Sequence, residues 1–222
     1  MTDEITLDNQ WREVVRLTND LLIERHSDQE MHSKYMMLLN DLRHDKCMGD
    51  KIVLGMYRAP ASKDRHHNVE GGLTLHLLQM YNAWEILREG IVRRKGELHP
   101  CFTEANVWRA ILHHDLNKVW RYEFIQHNPW KVDYYELDRP AELLGAMSKS
   151  QWIIQSYGIR LSLPLANALI CAEGGYSHTR PRAETVFAKV LYLCDELSAN
   201  VIDRLDTDRF WDSKDGGLNV SV

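Results

Sequence analysis

Four side chains in this sequence have the types and the settings to hold a divalent metal: His76, His114, Asp115 and Asp195. His114 and Asp115 stand side by side in Ile111-Leu112-His113-His114-Asp115-Leu116-Asn117-Lys118, behind a short apolar run and just ahead of a cation, Lys118. His76 closes Gly71-Gly72-Leu73-Thr74-Leu75-His76, and Asp195 sits within Leu191-Tyr192-Leu193-Cys194-Asp195-Glu196-Leu197. Imidazole nitrogen and carboxylate oxygen together suit Mn, Fe, Co, Ni or Zn. Two His and two Asp carry two formal negative charges and leave positions open for water and a phosphate oxygen. A metal so held lowers the pKa of bound water and polarises a phosphoryl group, which is the chemistry of phosphoester hydrolysis. Each residue also has a plainer reading. His76 alone fits a hydrogen-bonded helix histidine, and Asp195, an acid among apolar neighbours that needs a partner, could pair with an Arg or Lys elsewhere.

The elements that must position these residues read as helices. Apolar residues recur at helical intervals from about Asp8 to Arg25 (Trp11, Val14, Val15, Leu17, Leu21, Leu22), with Asp8 or Asn9 as N-cap. Met31, Tyr35, Leu38, Leu39 and Leu42 form a second such pattern. The stretch Gly49–Gly72 lacks a long period and reads as a structured loop, a length that usually has a use. Leu73 to Glu89 predicts a helix with Leu73, Leu77, Met80, Tyr81, Trp84 and Leu87 inward and His76 beside that stripe. Another helix starts at Thr103 or Glu104 and carries Trp108, Ile111 and Leu112 to the His-Asp pair. Trp120–Tyr135 is aromatic and irregular, a short hairpin or a lid. Helices return at Ala141–Ser156 and Leu163–Ala172. A final one spans Pro181 to Leu205, with Val186, Val190, Leu193, Leu197 and Val201 inward. The expected fold class is all-α. A helical extension over 1–48 packs on a core over 49–210, followed by a loosely held tail over 211–222.

Bulk properties narrow the partners. A chain of 222 residues, 44% hydrophobic and 27% charged, has the composition of a soluble globular domain. No apolar run reaches the roughly 18–20 residues needed to cross a bilayer. The N-terminus lacks the basic and apolar parts of a signal peptide. Cys47, Cys101, Cys171 and Cys194 form no CxxC pair and read as reduced, which favours the cytoplasm. A net charge of -5 argues against an extended nucleic-acid surface, yet leaves room for a small anionic substrate held by a few local cations.

The run from Arg58 to His76, Arg-Ala-Pro-Ala-Ser-Lys-Asp-Arg-His-His-Asn-Val-Glu-Gly-Gly-Leu-Thr-Leu-His, resembles the segment leading into HD-domain phosphohydrolases. It is most similar to the branch with bacterial 3′-to-5′ exoribonucleases, where paired His residues precede a Gly-Gly-Leu-Leu-Glu-His element. His114-Asp115-Leu116-Asn117-Lys118 looks like the namesake motif, and Pro181-Arg182-Ala183-Glu184 with Leu191–Ala199 looks like the last helix with its closing Asp. The resemblance spans roughly 58–205 in motif order and implies an HD-type helical bundle. It makes His76, His114, Asp115 and Asp195 the metal ligands. It assigns Lys118 to a substrate phosphate and to catalysis, and places His67 in the phosphate pocket or in proton transfer. Lys63 joins them as a substrate-binding candidate, while His66 and His113 read as spacers.

Departures from the family pattern shape the expected reaction. Two-metal members carry a further His after Leu-Leu-Gly, where this chain has Ala146 after Leu143-Leu144-Gly145. Ala172-Glu173-Gly174 stands near where later histidines would fall, leaving Glu173 as a replacement ligand, a base, or a solvated carboxylate. His127 and His178 miss the motif positions. The expectation is therefore one divalent transition metal (Mn, Fe, Co, Ni or Zn, with Mg admitted) and a small nucleotide substrate, hydrolysed as by a nucleotidase or nucleotide triphosphohydrolase. A 3′-to-5′ exonuclease on short oligonucleotides, a cyclic-nucleotide phosphodiesterase, and a non-catalytic nucleotide-binding module are the alternatives. Family analogy also allows a homo-oligomer, with the N-terminal helices and an exposed Trp11 as its interface.

Overall fold

Two central helices carry three of the four candidate ligands, a third helix carries the other, and the remaining elements pack around them. The computed structural model describes residues 7–22, 29–62, 66–125, 131–132, 145–171 and 185–202. In chain order these form α1 (Leu7–Leu22), α2 (Gln29–Arg43), β1 (Lys46–Met48), β2 (Lys51–Val53), α3 (Gly72–Lys95) and α4 (Glu104–His114). After α4 come β3 (Tyr122–Glu123), β4 (Lys131–Val132), α5 (Gly145–Ser156), α6 (Leu163–Cys171) and α7 (Val186–Leu197). The architecture is an all-α bundle with one small sheet. α3 packs against α1, α4 and α7, while α4 packs against α1, α5 and α6. The largest buried side chains, Trp84 and Trp108, belong to α3 and α4. Apolar residues of α1 and α2 join the same core, so the 1–48 segment has no separate interior. No helix among the described residues is long and apolar enough to cross a membrane, and all four cysteines are free thiols.

The stretch read as a structured loop is partly strand, and the stretch read as a short hairpin or a lid contains a strand pair. β1 and β2 form a hairpin across Gly49, with Cys47 opposite Ile52, and this hairpin straddles the 48/49 boundary. The sheet order is β1-β2-β3-β4, antiparallel throughout, so the aromatic stretch after Trp120 is tied back to the hairpin. Strands of two or three residues are too short to show an alternating pattern. Trp120 donates from Nε1 to His44 O (2.9 Å), under the Lys46 ammonium, and Tyr122 is buried, so these two rings are occupied in packing.

Other boundaries and faces also differ from expectation. Asp8 lies inside the first turn of α1 rather than capping it, and accepts a hydrogen bond from the Tyr57 hydroxyl. α3 runs beyond Glu89 to Lys95, where Arg93, Arg94 and Lys95 complement the negative end of the helix dipole. Trp11 is buried, edge-on to Tyr57 and beside the Arg43 guanidinium, so it offers no exposed interface. α7 begins at Val186, capped by Thr185 Oγ1, which accepts from the Ala188 amide (3.1 Å). Its buried residues are Phe187, Ala188, Val190, Leu191 and Cys194, while Val186, Leu193 and Val201 face outward. The helix is apolar on more than one side, so periodicity could not choose the inner face. Lys63, Glu173, His127, His178, Leu143, Leu144, Pro181–Glu184 and the 211–222 tail lie outside the described residues.

His113 takes the role of a core residue. Its ring stacks parallel on Tyr35 (centroids 5.6 Å apart), and neither nitrogen has a hydrogen-bond partner among the described residues. Burial, with Arg109 adding to it, pushes its pKa down to about 3. Below the ordinary histidine value of about 6.5 the unfolded chain takes up a proton that the folded chain refuses, so stability falls as pH falls. His113→Phe should therefore keep or raise stability at pH 7, and should flatten the loss between pH 7 and pH 5 by up to about 1.4 kcal/mol per pH unit. Urea unfolding at the two pH values measures this. An unchanged pH slope would contradict the buried, neutral assignment.

Candidate metal centre

Glycine places the first ligand. α3 begins after Gly71, whose φ of 72° is left-handed and suits a residue without a Cβ. Gly72 passes so close to the loop before it that an added Cβ would fall 1.9 Å from His67 O. This close seating fixes the register of the helix that carries His76, which is completely buried. The second and third ligands come from the end of α4, capped at its start by Thr103 Oγ1 accepting from the Asn106 amide (3.1 Å). His114 is the last helical residue, and Asp115 leaves the helix at φ −113°, ψ 15°. A tight turn over Leu116–Lys118 swings Lys118 back, so that Nζ lies 2.5 Å from Asp115 Oδ2. Ser150 of α5 pins that turn, its Oγ accepting from the Asn117 amide (3.0 Å). Asp195 arrives from α7, whose winding loosens into a π-type turn over Ser198–Ile202. Such bulges are frequent at functional sites.

The four side chains converge. His76 Nε2 lies 3.3 Å from His114 Nε2, 3.1 Å from Asp195 Oδ1 and 3.6 Å from Asp115 Oδ2. Asp115 Oδ2 is 3.2 Å from His114 Nε2. Ligands bound at about 2.0–2.1 Å to one divalent ion stand about 2.9–3.4 Å apart for right-angle to tetrahedral spacing. Three of these four separations fall in that range and the fourth lies just outside it; His76, His114 and Asp195 form a set of donors close enough to share one cation, with Asp115 against both imidazoles.

Hydrogen bonding on the far side of each ring points the same way. His114 Nδ1 meets Ile111 O at 2.6 Å, and a carbonyl only accepts, so Nδ1 carries the hydrogen and the neutral ring presents a lone pair at Nε2. His76 Nδ1 meets Ser198 Oγ at 2.9 Å, while that hydroxyl has acceptors of its own in His76 O and Gln79 Oε1 (3.4 Å each). With those acceptors taking the hydroxyl hydrogen, Ser198 Oγ can accept from His76 Nδ1, the tautomer that presents Nε2 as a lone pair. Two lone pairs facing each other at 3.3 Å call for a cation or a proton between them.

The charges of the group are strongly coupled. Burial pushes the Asp195 carboxyl up, with Asp115 adding to it. Asp115 goes the other way: although burial opposes this, His114 and Lys118 hold it well below the usual carboxylate range. Burial would lower His114, but Asp115 and then Asp195 outweigh it and raise its pKa. Burial dominates at His76 and keeps its imidazole neutral. For Lys118, burial is outweighed by Asp115, so its ammonium is held charged.

Four sequence candidates thus come together, and Lys118 stands beside them. His67 is adjacent, its ring 5.0 Å from that of His76, but it is buried and its Nε2 is engaged by Gln79 Oε1 (2.7 Å). Lys63 and Glu173 lie outside the described residues. The spacing of motifs did not reveal Ser198, Ser150, Gln79 or His66, whose ring is 4.9 Å from that of His76. A usable signal existed for Ser198: a buried ligating histidine needs a partner for its second nitrogen, and Ser198 lies one turn beyond Asp195.

Ser198→Ala removes that partner. It should weaken divalent-metal affinity by about 10–100-fold with the helical circular dichroism intact, as measured by competition with a chromophoric chelator. Unaltered affinity would show that Ser198 does not orient His76. Compared with protein-family models, curated proteins and solved structures, the chain matches none.

Proposed function

We propose that this chain is a metal-dependent phosphohydrolase of the HD type acting on a small nucleotide, as a nucleotidase or nucleotide triphosphohydrolase. One observation carries the reading: His76, His114 and Asp195, from three separate helices, stand close enough to share one cation, with Asp115 against both imidazoles and a charged lysine at the edge. A divalent transition metal bound there supplies Lewis acidity to a phosphoryl oxygen and a lowered pKa to a water. Lys118 spends one of its three N–H donors on Asp115 and turns the others to the phosphoryl oxygens, where charge builds in the transition state. Ser198 and Ile111 O hold the two imidazoles in the tautomer that leaves Nε2 free. His67, closed off from solvent, acts through its neighbours rather than on the substrate. The motif order of the HD resemblance and the acidic net charge support a small phosphate ester or anhydride over a long nucleic acid.

The similarity of 58–76 to the exoribonuclease branch favours a second reading, 3′-to-5′ exonucleolytic cleavage of short oligonucleotides or phosphodiester hydrolysis of cyclic nucleotides. Product analysis separates the readings. The protein is incubated with Mn, Co, Ni, Zn or Mg and with deoxynucleoside monophosphates, triphosphates, cyclic nucleotides or a short single-stranded oligonucleotide. Free phosphate from monophosphates or tripolyphosphate from triphosphates is the expected result. A ladder of shortened oligonucleotides would replace it with the exonuclease reading, and no turnover with any metal would leave a nucleotide-binding module. Asp115→Ala should lose both metal and activity while remaining helical. Retained hydrolysis in that variant would remove Asp115 from the mechanism.

A further inference from the structure

Beside the first centre lies a second nitrogen-rich group. We propose that His66 and His67 together bind a second divalent cation, through ring nitrogens that face each other next to His76. This rests on the reading of His76, His114, Asp115 and Asp195 as the first metal site. The rings of His66, His67 and His76 form a triangle with centroids 4.9, 5.0 and 5.3 Å apart. One nitrogen from each lies within 4.8 Å of the other two.

The tautomers define the donors. Gln79 Oε1 accepts from His67 Nε2 at 2.7 Å, so the His67 hydrogen is on Nε2 and its lone pair is on Nδ1. His66 Nδ1 faces that lone pair at 3.1 Å. This separation lies within the roughly 2.9–3.4 Å expected of two nitrogens on one divalent ion. Without metal, a hydrogen on His66 Nδ1 closes the gap. A cation takes its place when that hydrogen moves to His66 Nε2, which changes the tautomer and not the charge.

The backbone is built to hold this pair. His67 has a left-handed φ of 49°, uncommon for a residue with a side chain and held only where the surroundings insist on it. The Ala61 amide donates to His67 O (3.1 Å), and the missing Cβ of Gly72 leaves room for that same carbonyl. Ser62 Oγ donates to His66 O (2.6 Å). The turn brings consecutive side chains toward each other instead of apart. Two neutral nitrogens hold a cation less tightly than a set with two carboxylates, so the second ion completes its coordination with water and with the substrate's phosphate oxygen. The absence of a family-type His after Gly145 is then no bar to a two-cation centre.

The test is a count of sites. Metal-free protein is titrated calorimetrically with Co²⁺ and with Zn²⁺, and bound metal is counted by mass spectrometry. Wild type should bind two equivalents, the second at least tenfold more weakly. His66→Ala and His66→Gln should each lose the weaker equivalent and keep the tighter, with circular dichroism unchanged. A single equivalent in the wild type, or a second that persists in both variants, overturns the proposal. One equivalent that disappears in Asp115→Ala leaves the first centre standing and removes only the second. No binding at all removes both.

Discussion

The structure depends on bringing two carboxylates and two neutral imidazoles, lone pairs inward, into a space from which water is largely excluded. Burying an ion costs several kcal/mol or so even after relaxation, and this fold buries Asp115 and partly buries Asp195 against the same His76 imidazole. Lys118 offsets part of that cost, and the two carboxyls respond by shifting in opposite directions. A fold would not gain stability from such a group over an apolar one of equal size. Its presence in the middle of the bundle is therefore an argument for function.

Much of the remaining architecture serves to hold these donors still. α3 and α4 each pack against several other helices, and each delivers a ligand at a point where its backbone is fixed from outside. Gly71 and Gly72 set where α3 starts, while Ser150 holds the turn at which α4 stops. The loop before α3 is clamped as well: Arg58 bridges Asp45 and Glu70 at 2.6 Å each, and Asp45 Oδ1 accepts from the Gly55 amide. An ion pair of this kind at the surface is worth little alone. Here one guanidinium joins two segments of a long loop and so limits the positions open to His66 and His67.

The sequence carried the helical class and three side chains that come within reach of one cation, His76, His114 and Asp195, because apolar periodicity and motif order survive in one dimension. What escaped it has physical causes. The hairpin of β1 and β2 was invisible since three residues hold no alternation. The inner face of α7 is only partly legible: Val190 is buried and Leu197 packs on the core, but Val186 and Leu193 face outward because the helix is apolar on more than one side. Trp11 was placed at the surface although its ring packs on Tyr57 and under Arg43, contacts from segments far along the chain. Ser198 and Gln79 carry no motif and matter only through the ring nitrogens they face. His66 looked like filler until the left-handed turn at His67 brought it beside His76.

The position of the metal is the most direct measure of this account. Crystals grown with Mn²⁺ or Zn²⁺, with data collected on both sides of the metal's absorption edge, should give an anomalous peak within coordination distance of His76 Nε2, His114 Nε2, Asp115 Oδ2 and Asp195 Oδ1. A well-diffracting metal-soaked crystal with no peak there, or with its strongest peak at a site that none of these four atoms reaches, would contradict it.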